Sequence, residues 1–90
     1  MSPRALVLGA KSAIARAIAR RLADSGWDLI LAAREPSVLK PFARDIELRY
    51  RQQVDLFVFD ALEVELHATL AARIVQQCGD FQLTVLAFGY

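Results

Sequence analysis

One cysteine, Cys78, and one histidine, His67, among 90 residues remove two broad classes of chemistry. A lone thiol cannot form an internal disulfide, and neither residue has the companions that a multi-cysteine or histidine-containing metal centre requires. Cys78 closes an apolar helical stripe, where a thiol behaves as a small buried hydrophobe. His67 lies off that stripe and reads as a partly solvated surface residue. Excess charge is missing too. With 11 basic and 10 acidic side chains the formal net charge is +1, which lacks the basic bias of a nucleic-acid-binding chain. No apolar run approaches the ~20 residues needed to cross a bilayer, and no basic segment followed by a signal-type apolar stretch opens the chain. A cytoplasmic location is expected, with neither nucleic acid nor membrane as a partner.

What is present is a 56% apolar composition at single-domain length. A chain of this size buries roughly 60–65% of the surface that its unfolded form exposes, which makes a modest core. Strand and helix signals alternate from end to end, the pattern of a parallel sheet covered by helices. Residues 4–8 read as a central strand buried on both faces, because Ala5, Leu6, Val7 and Leu8 run on without polar alternation. Residues 12–25 read as a helix with Ile14, Ile18 and Leu22 on its apolar stripe and Ala15 and Ala19 beside them. Arg16, Arg20, Arg21 and Asp24 are expected to face water, and Gly26 to take the left-handed position past the helix end. A second buried strand follows at residues 27–33.

Glu35, Pro36 and Ser37 look like a helix opening, continued by Val38, Leu39, Phe42, Ile46 and Tyr50. Pro41 has two readings: it stands in the first turn of a helix that starts later, or it introduces a small kink. Residues 54–59 read as a third strand. Residues 61–77 read as a third helix, with Leu62, Leu66, Leu70, Ile74 and Cys78 at four-residue spacing and Gly79 as its stop; residues 83–88 read as a fourth buried strand. The expected fold is α/β, a Rossmann-like doubly wound parallel sheet. Right-handed crossovers put its four strands in the order 3-2-1-4, with three helices, all in one domain over residues 1–90.

The informative stretch is the strand-to-helix turn at residues 9–15. Gly9 supplies the turn, and small residues lead into the helix, whose first amides have no intrahelical partner and carry the positive end of the helix dipole. A diphosphate can dock there. The backbone amides of Ser12, Ala13 and Ile14 are the expected donors, the Ser12 hydroxyl a secondary one. Gly9, Ala10, Lys11, Ser12, Ala13, Ile14 and Ala15 resemble the Gly-x-x-x-Gly-x-Gly loop of the short-chain dehydrogenase/reductase family, with alanine at the second and third glycine positions. Alanine at the third still allows close packing of helix on strand; at the second, the Ala13 methyl group faces the pyrophosphate path.

Three further partial matches extend the resemblance over the whole chain. In this family a basic residue after the second strand pairs with the 2′-phosphate of NADP(H), whereas an acidic one accepts from the free ribose of NAD(H). Arg34 occupies that place, and Lys11 can approach the same phosphate from the loop, so NADP(H) is expected over NAD(H). Asp60 resembles the aspartate that meets the adenine, with the Ala61 backbone lining the pocket; with Glu63 it also makes a helix cap. Leu86, Ala87, Phe88 and Gly89 stand where the family shows Asn-Asn-Ala-Gly beside the cofactor, and only Gly89 matches.

The family transfers hydride with a Tyr-x-x-x-Lys pair and a serine placed after a fifth strand. Tyr50 and Tyr90 have no lysine four residues on. The resemblance therefore implies the NADP(H)-binding portion of an oxidoreductase, truncated before its catalytic half and not catalytic by itself. Its expected partners are the dinucleotide and either the missing C-terminal half or a second copy. The alternative is a stand-alone, non-enzymatic Rossmann-type module that binds a nucleotide or a protein.

Overall fold

The computed structural model describes residues 3–10, 12–59, 67–79 and 81–86. Strand β1 (Arg4–Leu8) leads through the Gly9 turn into helix α1 (Ala13–Asp24), then strand β2 (Asp28–Ala33). A 3-10 turn (Pro36–Leu39) runs into helix α2 (Lys40–Tyr50), followed by strand β3 (Val54–Val58), helix α3 (His67–Cys78) and strand β4 (Leu83–Leu86). The four strands make one sheet in the order β3-β2-β1-β4. Every pairing is parallel; Leu6 lies opposite Ile30 on one side and Thr84 on the other, and Ile30 opposite Asp55. This is the expected Rossmann-like arrangement.

The period of two along the strands divides the core into two layers. Ala5, Val7, Leu29, Leu31 and Ala33 pack with Ala15, Ala19 and Ala23 of α1 and with Leu39, Phe42 and Ile46 of the α2 arm. Leu6, Ile30, Ala32 and Phe57 point the other way and pack with Phe59 and with Leu70 and Ile74 of α3. Burial on both faces explains why β1 and β2 carry continuous apolar runs.

Three local expectations are corrected. On α1 the buried face is Ala15, Ala19 and Ala23, while Ile14 is 71% exposed and Ile18 and Leu22 are half-buried. The alanine stripe brings the helix backbone close to the sheet, and the larger side chains are left at its flanks. Arg16 is half-buried against Phe42 instead of being turned to water. Strand β4 is not buried: Leu83 is 37% and Leu86 67% exposed, because β4 is an edge with no neighbour on its outer side among the described residues. Pro41 takes the first of its two readings, in the opening turn of α2, and the chain before it winds as the 3-10 turn. Cys78 and His67 end and begin α3; their side chains, and the expected stretch of α3 at residues 61–66, lie outside the described residues.

Candidate functional site

The described candidates, Gly9, Ser12, Ala13, Ile14 and Arg34, lie at the carboxyl end of the sheet, where open α/β folds bind ligands. Gly9 follows β1 with φ of 77°, a left-handed conformation that an L side chain adopts only under strain. Its amide and that of Ala10 both donate to the Ala32 carbonyl oxygen of β2, at 2.9 and 3.1 Å. The turn is thereby tied to the neighbouring strand, and Ala10 is buried beneath it. Sequence reasoning did not single out this tie, since a backbone carbonyl leaves no signature in side-chain type.

Ser12 is the N-cap of α1. In its extended conformation (φ −68°, ψ 154°) the hydroxyl oxygen accepts from the Ala15 amide at 3.1 Å, while its carbonyl accepts from the Arg16 amide at 3.0 Å. The Ser12 amide donates to the Gly9 carbonyl across a long 3.4 Å. Ala13 and Ile14 form the first helical turn, both exposed, and their amides have no intrahelical acceptor. Two amides without an acceptor at the positive end of α1 can receive an anion. Ala15 is fully buried against the sheet, so alanine at the third glycine position meets the demand for close packing.

The register of β1 on β2 places Leu8 opposite Ala32, so the Gly9 turn and Arg34 emerge side by side. Arg34 is exposed, immediately past the last residue of β2. On its other flank the Phe59 amide donates to the Ala33 carbonyl at 2.8 Å, which carries the β2–β3 pairing one step further toward the site. Gly9, Ser12, Ala13, Ile14 and Arg34 thus share one end of the sheet. Lys11, Asp60, Ala61, Ala87, Phe88 and Gly89 lie outside the described residues. Among the described residues no group of three or more His, Cys, Asp or Glu side chains gathers as for a metal ion, and no helix is long and apolar enough to cross a membrane.

A parallel sheet in this order, with a glycine turn and a helix N-terminus at its carboxyl end, defines the dinucleotide-fold class. The sequence model of the short chain dehydrogenase family matches residues 3–89, and the chain belongs to that family. An uncharacterized oxidoreductase of Mycobacterium tuberculosis is 34% identical over 84 residues, which is 93% of this chain and 33% of that protein. The solved 3-oxoacyl-[acyl-carrier protein] reductase of Brucella melitensis, in complex with NAD, superposes with a TM-score of 0.89 at 27% identity, covering 99% of this chain and 34% of that one. The alcohol dehydrogenase of Thermococcus sibiricus, complexed with 5-hydroxy-NADP, gives 0.85 at 26% identity, covering 93% and 36%. The chain spans 20–33% of the length of the curated relatives it matches.

Proposed function

We propose that this chain is the NADP(H)-binding portion of an oxidoreductase, with the Tyr-x-x-x-Lys pair for proton transfer supplied by sequence beyond it. The observation that carries the reading is the placement of Arg34, just past β2, at the same end of the sheet as the Gly9 turn and the start of α1. The Ala13 and Ile14 amides would hold the pyrophosphate, the Ser12 hydroxyl would assist, and the Arg34 guanidinium would meet a 2′-phosphate through charge-assisted hydrogen bonds. Lys11, Asp60, Ala61, Ala87, Phe88 and Gly89 complete the proposed set by resemblance to the family. The nicotinamide would supply hydride; this chain's own part is to bind and orient it.

Related structures hold either NAD or an NADP derivative, so the family alone does not choose between them. The choice rests on Arg34, because an arginine fork fits a phosphate whereas a free ribose is served by an acid. Charge-assisted hydrogen bonds contribute about 1.5–3 kcal/mol each, which corresponds to a preference on the order of tenfold to a hundredfold. Titrating NADPH and NADH into wild type and Arg34→Ala tests this: the preference is present in the first and largely lost in the second. Equal wild-type affinities would refute the NADP(H) assignment. Reading the coding sequence after Tyr90 for a fifth strand and Tyr-x-x-x-Lys separates the oxidoreductase portion from a stand-alone module.

A further inference from the structure

Beside the proposed cofactor end, the seam between α1 and α2 carries a second concentration of positive charge. Arg16 and Arg20 lie four residues apart on α1, neighbours on one helix face. Both guanidinium groups stand over the same aromatic ring, that of Phe42 in the first turn of α2, with carbons 5.7 and 5.1 Å from its centroid. The ring is buried (8% exposed) and forms a fixed floor. Neither arginine has a carboxylate partner among the described residues; on α2, Asp45 is engaged at 2.8 Å by Arg49. The Arg16 Nε atom is buried with no hydrogen-bond acceptor. Two like charges over one ring repel, and an anion that reaches the outer nitrogens of both guanidinium groups relieves that repulsion.

We infer that the α1–α2 seam is a binding site for a phosphate-type dianion, held by Arg16 and Arg20 above Phe42. Arginine is suited to the task because its planar fork matches tetrahedral oxyanions with paired hydrogen bonds and its face stacks on aromatic rings. The dianion has two chemical sources, free phosphate or a phosphate ester on a nucleoside. Helical side chains lean toward the helix N-terminus, so Arg16 leans toward the Gly9 turn, and Phe42 opens α2 at the same end. That favours the ester, an arm that rests on the proposed cofactor reading; the phosphate site does not.

The test is titration of inorganic phosphate into the isotope-labelled chain at low ionic strength, read from the arginine Nε–H resonances. The Arg16 signal is expected to shift and saturate with phosphate, but not with chloride at matched ionic strength. Arg20→Gln is expected to raise the Kd at least about tenfold, and Arg20→Lys, which keeps the charge but not the fork, by less. Arg21→Gln, an equal charge loss on an exposed neighbour, should leave it within about twofold. An unmoved Arg16 signal, or equal weakening by Arg21→Gln and Arg20→Gln, overturns the site. In a second arm, adenosine 2′-monophosphate binding tighter than inorganic phosphate, and weakened by both Arg34→Ala and Arg20→Gln, identifies the ester as the source. If only Arg34→Ala weakens the nucleotide, the cofactor reading stands and the seam is not its phosphate site.

Discussion

Two glycines with positive φ show how much depends on single positions. At Gly9 (φ 77°) a valine would have to hold a β-branched side chain in the left-handed region. Gly9→Val is expected to cost about 1–3 kcal/mol and, in a domain of this size, to lower Tm by roughly 4–8 °C per kcal/mol. Calorimetry of the variant should show a folded chain with dinucleotide binding lost; binding equal to wild type would remove the phosphate cradle from this turn. Gly79 (φ 82°) ends α3, and a Cβ there would sit 2.8 Å from the Arg4 Nη1 atom. The arginine tip is flexible and can move, so most of the penalty of Gly79→Ala, about 1–2 kcal/mol, belongs to the backbone. Adding Arg4→Ala should therefore recover only a small part of it in denaturant titrations.

Within elements, the alanine face of α1 is the sharpest constraint. Ala19, 1% exposed, packs where no volume is spare, so Ala19→Leu is expected to destabilise by about 1–3 kcal/mol. Ile14→Ser, at 71% exposure, should stay within about 0.5 kcal/mol. Equal effects in urea unfolding would contradict the orientation of the helix. The same pair explains what sequence reading missed. Four-residue spacing fits Ile14–Ile18–Leu22 and Ala15–Ala19–Ala23 equally well, and hydrophobicity favours the isoleucines, whereas the close approach of helix to sheet selects the alanines. The strand order and parallel pairing were legible, since continuous apolar runs in β1 and β2 demand cover on both faces. In the candidate set, Ser12 was read as the first helical residue and not as its cap, whereas the Gly9 turn and the place of Arg34 past β2 were legible. The Ala32 carbonyl and the Arg16–Phe42 stack were not, because one is backbone and the other joins residues from separate helices.

At the scale of the whole molecule, apolar surface stands open along one edge of the sheet among the described residues. Beside α3 an apolar recess of about 220 Å³, lined by Leu6, Leu8, Phe59, Leu70, Ile74, Phe81 and Thr84 among others, opens next to the exposed edge strand β4. Self-association of the 90-residue chain is the expected result. Sedimentation should show a dimer or larger species at high micromolar concentration, and Leu86→Lys should shift it toward monomer; a monodisperse wild-type monomer would exclude it. The parallel topology has a kinetic consequence as well. Strand β1 is central, yet its partner on one side arrives only at β4: Arg4 and Gln82, which exchange hydrogen bonds at the foot of that pairing, are 78 residues apart. The β1–β2 and β2–β3 pairs close shorter loops, so β4 is expected to dock after the other three described strands, during synthesis and in refolding alike. Its amides should be the least protected of the sheet in native-state hydrogen exchange, and until they pair, one side of the strand that leads into the Gly9 turn stands open to any other chain that offers it an edge.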